Sequence, residues 1–100
     1  FVPSAFTKST GQAHWHSLLK SRAIETGCFI VAPAQVGKHF PGRESFGHSL
    51  IVSPWGKILA DAGHKKGVIT AKINLNEVNV SRSKIPNLSN KKKYTIYYQK

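Results

Sequence analysis

Apolar side chains recur at intervals of three and four residues over positions 13–26. This spacing is typical of an amphipathic α-helix, and Gly27 follows where a left-handed residue commonly ends a helix. The pattern therefore predicts a helix over residues 13–26, preceded by a polar loop over residues 7–12. The positions that follow this spacing are Trp15, Leu18, Leu19, Arg22 through its aliphatic stem, Ala23 and Ile24.

The segments on either side of this helix indicate strands. Residues 28–34, "CFIVAPA", are continuously apolar, which favours a strand covered on both faces. Residues 1–6, "FVPSAF", indicate a strand end, where Pro3 is tolerated near the terminus. Residues 36–47 contain three glycines and one proline, so we expect a long loop there.

The next segments predict a hairpin and a further strand. "HSLIV" (48–52) and "KILADA" (57–62) are joined by "SPWG", a Pro/Gly turn between two short strands. Residues 67–75, "GVITAKINL", alternate apolar and polar side chains as a half-solvated strand does.

The C-terminal part predicts a short helix and a tail. The helix runs from Asn76 to Arg82, with Asn74 or Asn76 as its cap, and ends before Pro86. Residues 91–100 form a basic and aromatic tail that is too apolar for a free linker and is expected to dock on a partner, such as a second subunit. The element order indicates one β-rich domain that also contains helix, with the tail of residues 91–100 outside it.

Charge and composition narrow the class of protein. The formal net charge is +11, from 15 Lys and Arg against 4 Asp and Glu, which favours polyanions non-specifically. The positive charge is spread along the chain, its one dense run is Lys91–Lys93, and the aromatic residues are not interleaved with basic ones. We expect no specific nucleic-acid site and no membrane partner.

The single cysteine and the absence of a long apolar run favour a cytoplasmic protein. The first residue is Phe1, within what reads as a strand end, so a fragment of a longer protein is expected.

Cys28 is a candidate nucleophile with a structural alternative. A reactive thiolate needs a base, a cation or a helix N-terminus beside it. Cys28 instead follows the C-terminal end of the predicted helix and opens an apolar strand. The structural interpretation is favoured.

Other residue types give weaker signals. "GHSLI" (47–51) has only the first half of a Gly-x-Ser-x-Gly elbow, so Ser49 is expected in a strand. His14 and His16 are two residues apart on a helix and point to different sides. The other histidines are expected in separate loops or strand ends without a companion acid, which argues against a metal site. These are His39, His48 and His64.

Five segments together match the order and loop lengths of one enzyme family. They are "PSAFT" (3–7), "TGQAHW" (10–15), "LLKSRAIETGCFIVAPAQ" (18–35), "GRESFGHSLIVSPWGKILA" (42–60) and "GVITAKINLNEVNVSRSKIP" (67–86). The set resembles the C-terminal portion of the nitrilase superfamily, the carbon–nitrogen hydrolases, and is most similar to its deaminated-glutathione amidase branch.

The resemblance implies an α+β fold, the C-terminal part of a four-layer α-β-β-α sandwich. It also implies hydrolysis of a small non-peptide amide by a Glu-Lys-Cys triad, with no metal or organic cofactor and a homo-oligomeric enzyme. In the family the triad lies before the strand that ends in "PSAF", so no catalytic residue is expected within this chain. The alternative is an inactive remnant or binding module with weak polyanion binding.

Six residues match the family's substrate-pocket border. They are Ser4, Ala5, Phe6 and Thr7 at the strand end, with Thr10 and His14 at the following loop and helix start. Arg22 and Glu25 match a helix pair that is expected to anchor the helix rather than contact substrate. His16 and Ser53 depart from the acidic residues usual at these positions in the family.

Overall fold

The computed structural model describes residues 1–99, so the last residue of the predicted tail lies outside the described part of the chain. The first helical stretch consists of α1 (Lys8–Thr10), a π-helical segment (Gly11–Trp15) and α2 (His16–Thr26). Gly27 ends it in the left-handed region, at φ 58° and ψ 39°, as predicted.

The helix begins earlier than the polar pattern predicts, so the loop expected over residues 7–12 is wrong. The Gly11 amide donates to the Thr7 carbonyl at 2.8 Å, and the Thr7 and Thr10 hydroxyls are 2.6 Å apart. Lys8, Ser9 and Thr10 are exposed, so no apolar period marks this first turn.

A three-stranded antiparallel sheet packs against α2. It consists of β1 (Ile30–Ala32), β4 (Leu50–Val52) and β5 (Ile58–Asp61), in the order β1-β4-β5. The pairing of Ile51 with Ala60 confirms the hairpin predicted from residues 48–62.

The loop predicted over residues 36–47 is wrong, because this segment forms a second hairpin. Strands β2 (Val36–Phe40) and β3 (Arg43–Phe46) pair with each other around the turn at Pro41 and Gly42. Most of β2 is exposed, so its strand is not marked by buried alternating side chains.

The strand predicted over residues 67–75 is also wrong. Val68 is 91% exposed, and this segment pairs with no strand within residues 1–99. Alternating apolar and polar side chains indicate a strand only where a neighbouring strand provides hydrogen-bonding partners for the backbone. The following helix is confirmed as α3 (Asn76–Lys84), where the Asn74 side chain accepts the Asn76 amide hydrogen at 3.0 Å.

Residues 1–6 run beside β1 without forming a regular strand of their own. The Val2 amide donates to the Val31 carbonyl at 2.9 Å, and the Ser4 amide donates to the Pro33 carbonyl at 3.0 Å. A parallel bridge joins Ser4 to Ala34. The N-terminal segment is thereby fixed along the edge of the sheet.

The core lies between the helical stretch, the sheet and β3. Its buried apolar residues are Trp15, Leu19, Ala23, Ile30, Ala32, Phe46, Leu50 and Val52. Val31 and Ile51, on the opposite face of the sheet, are only half-buried. The α+β class is confirmed, whereas β1 is fully covered on one face only.

Two features of the remaining surface bear on partners. Within residues 1–99, no helix has the length and apolar content that crossing a bilayer requires. Tyr94, Tyr97 and Tyr98 of the tail are each more than four-fifths exposed, so the expected docking of the tail remains a prediction.

Candidate functional site

A cleft of about 830 Å³ opens between the N-terminal segment, the start of the helical stretch and the β2–β3 hairpin. Polar and charged residues outnumber apolar ones in its wall, which also carries the exposed rings of His39 and Phe40. The polar residues include Lys8, Gln12, Gln35, His39, Arg43 and Glu44. The cleft can therefore hold a small polar molecule.

Two of the six sequence-predicted pocket residues, Ala5 and Thr7, line this cleft. Thr7 also forms a backbone bridge to Ser45 of β3, which joins the N-terminal segment to the hairpin. Thr10 lies one helical turn further on, and its hydroxyl donates to the Thr7 carbonyl at 3.2 Å.

The other three predicted residues lie elsewhere. Ser4 is engaged in backbone pairing with the chain after β1. The Phe6 ring packs on Trp15, with 5.1 Å between ring centroids. His14 is exposed on the helical stretch and does not line the cleft. Substrate contact by these six residues remains a prediction.

The charged side chains that line the cleft differ in whether they have an ion-pair partner. Lys8 Nζ lies 2.9 Å from Glu44 Oε2, and this hydrogen bond lowers the pKa of the Glu44 carboxyl. His39 Nε2 and the Ser45 hydroxyl are 2.7 Å apart. Arg43 forms no ion pair with any residue in the described part of the chain, which leaves its charge available to an anionic ligand.

Cys28 does not line the cleft. It is half-buried at the junction of α2 and β1. Arg82 of α3 donates from Nη2 to the Cys28 sulfur at 2.9 Å and from Nε to the Thr26 carbonyl at 3.3 Å. The guanidinium thus ties α3 to the end of α2. Arg82 is far away in sequence, and no local pattern predicts this contact.

Ser49 and the Arg22–Glu25 pair both have structural roles. The Ser49 hydroxyl accepts the Ala34 amide hydrogen at 2.9 Å, so it links the start of β4 to the segment after β1. Arg22 Nη1 lies 2.6 Å from Glu25 Oε1 on the exposed face of α2. This confirms the predicted anchoring pair.

A cluster of three histidines and one aspartate forms beside the core. His16 Nε2 lies 3.0 Å from Asp61 Oδ2, and His48 Nδ1 lies 2.9 Å from Asp61 Oδ1. His64 Nε2 is 3.4 Å from His48 Nε2. The expectation that His48 and His64 lack a companion acid is therefore wrong.

The cluster is missed in the sequence because its members come from separate elements. His16 opens α2, His48 precedes β4, Asp61 ends β5 and His64 lies in the following turn. The antiparallel register that pairs Leu50 with Asp61 brings the last three together. No spacing rule for metal ligands covers such a combination.

Asp61 is held as a carboxylate by its neighbours. Burial acts to raise its pKa, but hydrogen bonds from His16, the Gly63 amide and His48 outweigh burial. The net effect lowers the pKa of Asp61 below its usual value of 3.8. The cluster therefore contains a fixed negative charge at neutral pH.

The chain thus forms part of an α+β domain, in which a helix covers an antiparallel sheet and a cleft opens beside the N-terminal segment and the β2–β3 hairpin. The chain belongs to the carbon-nitrogen hydrolase family, whose model matches residues 2–83. This places it in the nitrilase superfamily.

Curated relatives agree with this assignment. The chain is 48% identical over 91 residues to the deaminated glutathione amidase of Synechocystis, an alignment that covers 91% of the chain and 34% of that protein. It is also 48% identical over 84 residues to the deaminated glutathione amidase of Homo sapiens, covering 84% and 26% respectively. The chain thus spans about a third of the length of these relatives.

Solved structures give the same fold. The crystal structure of the Caenorhabditis elegans NitFhit protein matches with a TM-score of 0.82 and 45% identity, over 88% of this chain and 21% of that one. Saccharomyces cerevisiae Nit3, a member of branch 10 of the nitrilase superfamily, matches with a TM-score of 0.75 and 32% identity, over 83% and 31%. The nitrilase-like fold expected from the sequence is confirmed.

Proposed function

We propose that this chain forms the C-terminal part of an amidase that hydrolyses deaminated glutathione or a similar small amide. The observation that carries the proposal is the 48% identity to deaminated glutathione amidases over nine-tenths of the chain. The chain supplies a wall of the substrate cleft, and a Glu-Lys-Cys triad outside these residues supplies the reacting groups. Such a triad combines a nucleophile, a base and a charge that stabilises the oxyanion.

The chemistry of the described residues supports this division of roles. Ser49 is engaged with Ala34, and Cys28 is engaged with Arg82 away from the cleft. Arg82 places a cation beside the Cys28 sulfur, but neither Cys28 nor Ser49 has a base within hydrogen-bonding distance in the described part of the chain. The cleft itself offers cations and hydrogen-bonding groups, which bind and orient a substrate.

The direct test is hydrolysis of the amide bond of deaminated glutathione by two purified proteins, followed as release of the amine product, the cysteinyl-glycine dipeptide. The 100-residue chain is expected to be inactive, whereas the product of the complete reading frame is expected to be active and to remain so as Cys28→Ala. Release of this dipeptide by the 100-residue chain, abolished by Cys28→Ala, would refute the proposal. An inactive full product would favour the alternative of an inactive remnant or binding module.

Arg43 is expected to bind a carboxylate of the substrate, since glutathione without its amino group retains two carboxylates. Removal of a charged hydrogen bond at a partly solvated site costs about 1.5 kcal/mol, or about tenfold in binding. In the complete enzyme, Arg43→Gln should raise KM about tenfold with little change in kcat. Lys65→Gln, which removes the same charge from a turn outside the cleft, should leave both parameters unchanged.

The same proposal includes a homo-oligomer in the cytoplasm. The support for the oligomer is the aromatic tail, whose Tyr94, Tyr97 and Tyr98 are each more than four-fifths exposed. Polyanion binding driven by the charge of +11 is the second candidate function. It predicts nucleic-acid retention at low salt that falls steeply as salt is added.

A further inference from the structure

The hydrogen bonds of the histidine cluster determine which nitrogen atoms of His48 and His64 carry protons. Asp61 only accepts hydrogen bonds as a carboxylate, so the contact with His48 Nδ1 requires a proton on that nitrogen. The Phe46 carbonyl likewise requires a proton on His64 Nδ1, which lies 3.0 Å away. In neutral rings, both Nε2 atoms then present lone pairs to each other across 3.4 Å.

A cation that binds His48 Nδ1 removes this conflict. The His48 proton moves to Nε2, from which it is donated to the lone pair of His64 Nε2, while His64 keeps its hydrogen bond to the Phe46 carbonyl. The number of protons on each of these two rings is unchanged. Every polar atom in this chain of contacts then has a partner of the right kind.

We propose that His16, His48 and Asp61 bind a divalent transition-metal ion of the Zn²⁺ type. One ligand atom from each residue lies within 4.8 Å of the other two. Imidazole nitrogen and carboxylate oxygen are common ligands of Zn²⁺, and three protein ligands leave a coordination position for water. The site lies outside the cleft and does not depend on the proposed amidase function.

The surrounding structure holds the ligands in place. His48 adopts φ 55°, the one positive value for a non-glycine residue within residues 1–99. Its backbone is fixed on both sides, because its amide donates to the Gly63 carbonyl and its carbonyl accepts the Trp15 indole hydrogen, each at 2.7 Å. Strain held at a defined residue in this way is common at functional sites.

Other contacts orient the ligand side chains. The Gly63 amide donates to Asp61 Oδ1 at 2.8 Å, and the His48 ring stacks on Phe46 at a centroid distance of 4.4 Å. His64 is a positioning residue, since it contacts the ring edge of His48 opposite the proposed metal. Such outer contacts typically change metal affinity about 10- to 100-fold.

The test is a titration of the purified chain, prepared without a histidine tag, with Zn²⁺ by calorimetry and with Co²⁺ by visible absorption. One ion per chain is expected, with a higher Tm in the presence of Zn²⁺. The Co²⁺ complex should show the absorption of a nitrogen- and oxygen-ligated site. Absence of binding would overturn the proposal.

Variants identify the ligands. His16→Gln should abolish binding, whereas His14→Gln, on the same helical stretch but outside the cluster, should leave it unchanged. His64→Gln should weaken binding about tenfold while keeping one ion per chain, as a positioning residue predicts. Unchanged binding by His16→Gln would overturn the site, and circular dichroism of each variant separates lost ligation from lost folding.

Discussion

Trp15→Ala is expected to lower the free energy of unfolding by about 3–5 kcal/mol, the range for deleting a large buried aromatic side chain. The Trp15 side chain is among the largest fully buried ones, and its residue is only 2% exposed. Its ring packs on Phe6, and its indole nitrogen donates to the His48 carbonyl at 2.7 Å. Alanine leaves a cavity between the helical stretch and the sheet, and it leaves that carbonyl without its donor.

Urea denaturation of three variants separates these contributions. Trp15→Phe keeps most of the packing but loses the indole donor, and is expected to cost about 1–3 kcal/mol. Trp55→Ala is the matched control, because Trp55 is 54% exposed and contacts Lys84 Nζ at 5.3 Å from its ring centroid. It should cost at most about 1 kcal/mol. If Trp15→Ala and Trp55→Ala lowered the free energy of unfolding by the same amount, the placement of Trp15 in the core would be contradicted.

Gly11→Ala is expected to destabilise the protein by about 1–2 kcal/mol, although alanine is the better helix former. A Cβ at this position would overlap Cβ and Cγ of Phe46 and lie 2.7 Å from its Cδ1. Those are atoms at the root of a buried side chain on β3, so they move only if the strand moves. Overlap with such atoms places the overpacking cost in the upper part of its range, at about 2–3 kcal/mol, and the helix-propensity gain of about 1 kcal/mol offsets part of it.

The control for Gly11 lies one residue further along the same segment. Gln12 is exposed, so Gln12→Ala should change stability by less than about 0.5 kcal/mol. Both variants are measured by thermal and urea unfolding with the same baseline protein. A stabilising Gly11→Ala would mean that the π-helical segment and β3 do not pack as closely as the structure shows.

The two proposed sites lie on different parts of the same small fold. The cleft uses the N-terminal segment and the β2–β3 hairpin, while the histidine cluster uses α2 and the β4–β5 hairpin. Phe46 joins them, since it belongs to the core, stacks on His48 and abuts Gly11. Changes at Phe46 are therefore expected to affect both sites.

The spacing of apolar residues predicted those elements in which some of the apolar positions are also buried. Residues 16–26 and the hairpin around "SPWG" were predictable because α2 buries Leu19 and Ala23 and β4 buries Leu50 and Val52. Leu18 and Ile24, which share the apolar spacing of α2, are instead exposed. The glycine after α2 was predictable for a conformational reason, since a left-handed residue ends the helix. The structural role of Cys28 stays a prediction that rests on its place after a helix C-terminus, and the Arg82 cation beside its sulfur was not predicted.

The sequence pattern gave wrong predictions where the secondary structure depends on contacts between segments. Residues 36–47 form a hairpin despite three glycines and a proline, because β2 and β3 pair with each other and Phe46 of β3 is buried in the core. Residues 67–75 alternate like a strand yet find no strand partner within residues 1–99. An alternating pattern does not by itself provide a neighbouring strand with which the backbone groups can form hydrogen bonds.

The amino-acid pattern alone predicted the family, the α+β class, α2 and the β4–β5 hairpin. The meeting of His16, His48, Asp61 and His64, and the position of Arg43 in the cleft, became visible only in the folded chain. These side chains come from elements that are distant in sequence, so the distances between them depend on strand register and helix packing. The spacing of such residues along the chain does not show which elements will meet.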